Sequence, residues 1–173
     1  LQILSAVLLT PERVVVHNVP DILDVMKLVE MLGDLGVEVE ELDKAGEAGR
    51  ISRSYAFTAR NINLDFVRSE EFRKKSSALR GSVMLTGPLL ARFGFAFMPK
   101  PGGDKIGRRR LDTHLIGFEK LGAKLDWQQG ASYFEISAKE GLRGAYMLLD
   151  EASVTGTANI VMAAVLAQGT TTI

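Results

Sequence analysis

One local pattern occurs three times along the chain, where an apolar helix end runs directly into a strand-like stretch. The copies read AVLLTPERVVVHNV, GPLLARFGFAFMPKP and AAVLAQGTTTI, and aligning Leu9, Leu90 and Leu166 places them 81 and 76 residues apart. Two copies also carry a helix that ends in Leu-Gly before a further strand, in LGVEVEEL and LGAKLDW. Self-similarity at a fixed period indicates a repeated structural unit. We therefore expect an α/β fold of the α+β type, resembling an inside-out barrel. Each unit would hold two helices and about four strands, with the apolar helices inside and the sheets outside.

Composition excludes several classes of protein. The 173-residue chain carries 21 Lys and Arg against 21 Asp and Glu, so its net charge is zero. This balance excludes a basic field over the whole protein for nucleic acid. The absence of cysteine excludes disulfides, thiolate nucleophiles and cysteine-based zinc sites. The longest clean apolar run, IVMAAVLA, is far shorter than the ~18 residues of a membrane span.

Apolar periodicity and turn residues predict alternating helices and strands. Strands are expected at 13–19, 37–42, 51–59, 95–99, 123–127, 133–138 and 144–150, with another beginning near 169. Helices are expected at 1–9, 21–33, 69–92, 113–121 and from Ser153 to about 167. Gly36 and Gly122 should end two of them, and Gly87-Pro88 should kink the long one. Because the chain opens inside an apolar run and closes on TTTI, we expect a piece of a longer protein.

A glycine-rich basic loop, PGGDKIGRRRLDTH at 101–114, is the first candidate for chemistry. It places the carboxylate of Asp104 on a flexible turn, followed by Lys105 and the arginines 108–110. Convergent guanidinium groups suit phosphate or diphosphate, because they form bidentate charge-assisted hydrogen bonds. Asp112 could accept a hydrogen bond from a hydroxyl or a base N–H. The alternative is a solvated basic loop closed by an aspartate helix cap, and spacing alone favours that alternative.

Two further stretches are candidates. Arg80 is the only positive charge of SSALRGSVMLTGPLL, so it needs an internal carboxylate, which is the commoner case, or a bound anion. The stretch DEASVTGTANI places small and hydroxyl residues before an apolar helix, where free backbone N–H groups can bind an anion. The simpler interpretation of that stretch is an ordinary N-cap at Ser153.

Four motifs, HNVPD, LRGSVMLTGPLLARFG, PGGDKIGRRRLDTHLIGFEKLGA and ASVTGTANIVMAA, carry a resemblance along nearly the whole chain. Their order and spacing resemble those of the UDP-N-acetylglucosamine 1-carboxyvinyltransferases, the enolpyruvyl transferases of peptidoglycan synthesis. The resemblance implies two similar domains, each of three repeated units with helices inside. Residues 1–173 would then be one incomplete domain carrying the active-site loop 101–114, and the second domain would be absent.

The resemblance also implies an activity. The enolpyruvyl group of phosphoenolpyruvate would move to the 3′-hydroxyl of UDP-N-acetylglucosamine in the cytoplasm, serving cell-wall biogenesis, cell shape and cell division. Its partners would be these two substrates and the second domain of the same chain, without cofactor, metal, nucleic acid or membrane. The chain alone would be inactive. A shikimate-pathway enolpyruvyl transferase and a non-catalytic nucleotide-sugar-binding module remain the alternatives.

Site residues follow from the resemblance, motif by motif. Asp104 would be the catalytic acid or assist product release, and the substrate-binding residues would be Arg80, Arg109, Arg110, Leu111, Asp112, Thr113, His114, Ser153 and Val154. Arg80 lies in the substrate site of the family and Arg109 near phosphate, whereas the others contact the UDP moiety. Four positions differ from most members: Asp104 replaces cysteine, Arg110 proline, Glu151 lysine and Thr155 glycine.

Overall fold

The computed structural model describes residues 1–43, 52–99, 110–127 and 133–173. The α-helices are α1 (Gln2–Ala6), α2 (Leu23–Asp34), α3 (Leu64–Arg68), α4 (Glu70–Ala78), α5 (Thr86–Phe93), α6 (Asp112–Lys120) and α7 (Val154–Ala164). Short 3₁₀-helices span Val7–Leu9 and Arg80–Leu85. The strands are β1 (Arg13–Pro20), β2 (Glu38–Glu41), β3 (Ser52–Thr58), β4 (Phe95–Pro99), β5 (Lys124–Asp126) and β6 (Tyr133–Ser137). The mixed helix and strand content agrees with the sequence, and none of the helices described is long and apolar enough to cross a membrane.

The strands form two three-stranded sheets with the same connectivity. In the first sheet β3 lies between β1 and β2, and in the second β6 lies between β4 and β5. All pairings are antiparallel, so the outer strands of each sheet run parallel to each other. The chain passes from one outer strand to the other through a helix, α2 in the first sheet and α6 in the second. Each sheet is therefore a β–α–β crossover whose two parallel strands are separated by the strand that follows.

Helix α7 packs against both α5 and α6. Glycine permits each close approach. A Cβ on Gly87 of α5 would collide with the backbone carbonyl of Asn159, and a Cβ on Gly117 of α6 would collide with the Ile160 side chain. Residues 86–90 of α5 are all buried, so the first part of this helix lies in the interior.

The side chain of Asn159, fully buried in α7, joins three helical segments. Its Oδ1 accepts a hydrogen bond from the Gly87 backbone N–H at 2.8 Å. Its Nδ2 donates to the Val83 carbonyl oxygen at 2.8 Å and lies 3.0 Å from Nδ1 of His114 in α6. These contacts occupy the amide oxygen and both amide hydrogens, so a polar group in an apolar helix is fully satisfied.

The prediction of one continuous helix over 69–92 is wrong. The backbone leaves helical geometry at Leu79, with φ −131° and ψ 109°, and a 3₁₀-helix follows. Leu79 is almost fully buried, as are residues 82–85 after it, so core packing sets the break and overrides local helix propensity. Pro88 does not produce the predicted kink. It occupies the first turn of α5, where a backbone N–H has no partner within the helix anyway.

The last two predicted strands are also wrong as regular strands. Instead of strands at 144–150 and from 169, the structure has two isolated parallel bridges, Arg143 with Gln168 and Tyr146 with Thr172, and the backbone hydrogen bonds beside them. Two short segments without a third neighbour do not form a sheet that is stable by itself. The remaining predictions are confirmed within one to three residues in the described ranges. Gly36 and Gly122, each with φ +92°, follow the ends of α2 and α6 as predicted.

Replacing Asn159 with alanine should lower the free energy of unfolding by about 3 kcal/mol, because it leaves a buried N–H and a buried carbonyl without partners. Urea denaturation of the purified protein measures this loss. Asn61→Ala, at an exposed asparagine, is the matched control and should change stability little. An Asn159→Ala protein as stable as the control would contradict the structural role of this amide.

His114 should make stability depend on pH. Burial, assisted by the positive charge of Arg80, lowers the pKa of His114 from 6.5 to about 4. Between these two values the unfolded chain binds a proton that the folded chain excludes, so stability falls as pH drops from 6.5 towards 4 and levels off below. A shift of this size corresponds to about 3 kcal/mol.

Unfolding midpoints measured between pH 4 and pH 7 test this prediction. His114→Gln should remove that part of the pH dependence. His17→Gln, at an exposed histidine, should leave it unchanged. Identical pH profiles for the wild type and His114→Gln would show that His114 titrates normally.

Candidate functional site

A cleft of about 480 Å³ opens beside the Arg80–Leu85 3₁₀-helix and brings together residues that are distant in sequence. It is lined by Leu1, Gln2, Ile3, Asp24, Arg80, Gly81, Val83, Met84, His114 and Thr155. Two of the predicted site residues, Arg80 and His114, therefore face one cavity. Thr155, which was not predicted as a site residue, is exposed and lies with them. A cationic side chain beside two hydrogen-bonding groups suits a ligand with anionic or hydroxyl oxygens.

The hydrogen bonds of the interior determine the protonation state of His114. The Oδ1 atom of Asn159 accepts from Gly87, so the amide nitrogen is the atom that faces His114 Nδ1. An amide nitrogen only donates, and Nδ1 must therefore be the acceptor. The imidazole is neutral, consistent with its lowered pKa, and carries its hydrogen on Nε2. Nε2 lies 3.4 Å from the hydroxyl oxygen of Thr155 and donates to it.

The start of α6 is tied to the segment that precedes α7. The hydroxyl of Thr113, 1% exposed, lies 2.9 Å from Asp150 Oδ1 and 3.2 Å from Glu151 Oε1. The single hydroxyl hydrogen is shared between two carboxylates. This contact fixes residues 150–151 against α6, and a Cβ on Gly156 would meet the Thr113 methyl group at 2.8 Å.

Arg110 and Asp112 form a short ion pair at the exposed end of the predicted basic loop. Helix α6 begins at Asp112, one residue before the expected start, and the carboxylate pairs with the Arg110 guanidinium instead of capping the helix. Leu111 precedes the helix and packs against the core. The predicted aspartate helix cap is therefore wrong.

Ser153 is the N-cap of α7, as predicted. Its Oγ accepts a hydrogen bond from the Gly156 backbone N–H at 3.1 Å. Val154, the next residue, is 78% exposed. Neither side chain lines the cleft that contains Arg80, so the predicted substrate-binding residues fall into two neighbouring groups.

Two predicted site residues, Asp104 and Arg109, lie outside the described residues. Within the described ranges, no group of three or more His, Cys, Asp or Glu side chains could hold a metal ion. Sequence analysis named Thr155 only as a departure from the family's glycine, without a role in the site, and it missed Asn159. The signal for Asn159 was a lone amide in the apolar run ANIVMAA, which predicts a buried polar group that needs partners.

Comparisons with known proteins agree along the whole chain. The family model of EPSP synthase (3-phosphoshikimate 1-carboxyvinyltransferase) matches residues 1–173. A protein of Porphyromonas gingivalis named UDP-N-acetylglucosamine 1-carboxyvinyltransferase is 57% identical over 173 residues. A protein of the same name from Bacteroides fragilis is 58% identical. Each match covers 100% of this chain and 38% of the relative, so the chain spans little more than a third of their length.

Solved structures share the fold at low identity. The enolpyruvyl transferase NikO from Streptomyces tendae matches with a TM-score of 0.66 and 18% identity, covering 98% of this chain and 37% of that one. EPSP synthase from Acinetobacter baumannii matches with a TM-score of 0.58 and 18% identity, covering 96% and 36%. Because the family model matches from the first residue to the last, the chain belongs to the EPSP synthase (3-phosphoshikimate 1-carboxyvinyltransferase) family.

Proposed function

We propose that the protein containing this chain transfers the enolpyruvyl group of phosphoenolpyruvate to the 3′-hydroxyl of UDP-N-acetylglucosamine, a step of peptidoglycan synthesis. The names of relatives that are 57% and 58% identical over the whole chain support this substrate pair. The structural observation that carries the proposal is the cleft where Arg80 and His114 meet. Both were expected in the substrate site, and 33 intervening residues separate them in sequence.

The reaction requires three things of the protein. The 3′-hydroxyl loses its proton to a base and its oxygen bonds to C2 of phosphoenolpyruvate, while C3 gains a proton from an acid. The C2–O bond to phosphate then breaks, and C3 loses a proton to restore the double bond. Cations must stabilise the phosphate, a positioned acid must supply the proton to carbon, and water must be excluded.

We assign these roles to the residues that the resemblance indicates. Arg80 supplies positive charge in the cleft, and Arg109 supplies it near the phosphate. Asp104 donates the proton or assists phosphate release. The UDP moiety binds against Arg110, Leu111, Asp112, Thr113, His114, Ser153 and Val154.

The observed contacts refine this assignment. The Thr113 hydroxyl donates to Asp150 and Glu151, so its hydrogen is already used. The Ser153 oxygen accepts the capping hydrogen bond of α7, which leaves the hydroxyl hydrogen of Ser153 able to donate to a ligand. Arg110 and Asp112 are paired with each other and would exchange that partner for the nucleotide.

The chain would form most of one of two domains, built from repeated units with helices inside and sheets outside. The shared strand order of the two sheets supports this architecture. Apolar side chains exposed on α1 and α7, among them Ile3, Val154 and Val161, would contact the remainder of a polypeptide that is longer in the relatives. Both substrates are charged and water-soluble, so we place the reaction in the cytoplasm, without cofactor, nucleic acid or membrane.

Phosphate release by the full-length protein tests the function. Release is expected with phosphoenolpyruvate and UDP-N-acetylglucosamine together. The isolated 173-residue chain should give none, because the reacting groups must be held between two sets of residues. Release only with shikimate 3-phosphate as acceptor would support the shikimate-pathway alternative. Binding of the nucleotide sugar without release would favour a non-catalytic module.

Arg80→Gln in the full-length protein should slow phosphate release about a hundredfold, because a preorganised charged contact is worth roughly 10²–10³ in rate. Arg143→Gln is the matched control, since it removes an exposed arginine that does not line this cleft. Steady-state kinetics with both substrates measure the effect. A rate for Arg80→Gln equal to that of the control would remove Arg80 from the site.

A further inference from the structure

Thr155 is fixed at the mouth of the cleft by a chain of hydrogen bonds that begins in the core. Asn159 is held by Gly87 and Val83, and it presents its amide N–H to His114 Nδ1. The hydrogen of His114 must then lie on Nε2, directed at the Thr155 oxygen 3.4 Å away. One acceptor position of the Thr155 hydroxyl is therefore filled from the protein side.

The hydrogen of that hydroxyl has no acceptor of its own among the described residues. A threonine inside a helix usually donates to the carbonyl four residues earlier. Thr155 is the second residue of α7, so the carbonyl four residues back lies before the helix begins. Since His114 approaches the oxygen as a donor, the hydroxyl hydrogen must point away from Nε2. The exposed side chain lines the cleft, so the hydrogen is available to whatever occupies it.

Arg80 and Asp24 also line the cleft, and the Arg80 guanidinium is the group to which an anionic oxygen is complementary. We propose that the Thr155 hydroxyl, oriented by His114, donates a hydrogen bond to a phosphoryl oxygen of the bound nucleotide sugar. This inference rests on the proposed function and adds to it a residue that neither the motifs nor the relatives assigned. His114 then acts as a positioning residue, because its neutral Nε2–H fixes the direction in which Thr155 donates.

Neighbouring contacts hold the donor in place. A Cβ on Gly156, the next residue, would meet Thr113 Cγ2 at 2.8 Å and Ser153 Oγ at 2.9 Å. The first turn of α7 is thus packed closely against α6 and its own cap. A donor held by two helices loses little conformational entropy when a ligand binds, which favours affinity.

Calorimetric titration of the full-length protein with UDP-N-acetylglucosamine, UDP and uridine tests the proposal, with phosphoenolpyruvate omitted. Thr155→Val keeps the shape of the side chain but lacks the hydroxyl. It should weaken the two diphosphates about tenfold, as for one charge-assisted hydrogen bond, and leave uridine unchanged. Thr155→Ser restores the hydroxyl and should recover most of the affinity. Thr157→Val is the matched control on the same helix and should match the wild type.

The possible outcomes separate this inference from the function on which it rests. If the wild type binds UDP-N-acetylglucosamine and Thr155→Val binds it equally well, the Thr155 assignment fails and the proposed function stands. An equal loss for uridine would also overturn the assignment, because the hydroxyl would not then act on phosphate. A wild type that binds neither UDP-N-acetylglucosamine nor UDP would overturn the proposed function and this inference together. Thermal unfolding of Thr155→Val should match the wild type, since the side chain is exposed.

Discussion

The buried amide of Asn159 is the interaction on which the helical interior depends. Its oxygen and both its hydrogens are used, one group each for α5, the 3₁₀-helix and α6. An apolar side chain at this position would leave the Gly87 N–H and the Val83 carbonyl unsatisfied. The close approach of α7 to Gly87 makes these bonds possible, because any larger residue there would collide with the backbone of Asn159. The close packing of α7 on α5 and the hydrogen bonding of these buried polar groups therefore depend on each other.

The same amide links the core to the candidate site. It fixes the tautomer of His114, which fixes the acceptor role of the Thr155 oxygen at the mouth of the cleft. Burial keeps the imidazole neutral, and the nearby charge of Arg80 acts in the same direction. The cleft is therefore lined by the charged side chains of Arg80 and Asp24 and by the Thr155 hydroxyl, while His114 adds no charge. Such preorganisation avoids a reorganisation cost when an anionic ligand binds.

The predicted site residues outside the cleft, at the start of α6 and before α7, are held in a different way. The buried hydroxyl of Thr113, in α6, donates to Asp150 and Glu151, so the residues just before α7 are held against α6. The Arg110–Asp112 pair is exposed on both partners and contributes little to stability. It can open for a ligand at low cost. The buried Thr113 contacts are thus fixed, whereas the exposed Arg110–Asp112 pair is the contact that we propose the nucleotide displaces.

The sequence alone determined the class of fold, most element boundaries, the Ser153 cap, the glycines after α2 and α6, and the family through its motifs. These features depend on periodicity, turn chemistry and spacing, which are local along the chain. Only the tertiary structure decided the break at Leu79, the isolated bridges of 144–150, and the partners of Thr113 and Asn159. Each of these features depends on which residue, distant in sequence, lies beside it in the folded chain. A buried leucine can override helix propensity, and an amide has no defined role until its donor and acceptor atoms meet specific neighbours. The neutral His114 and the directed Thr155 hydroxyl follow from those neighbours, so no local pattern could have revealed them.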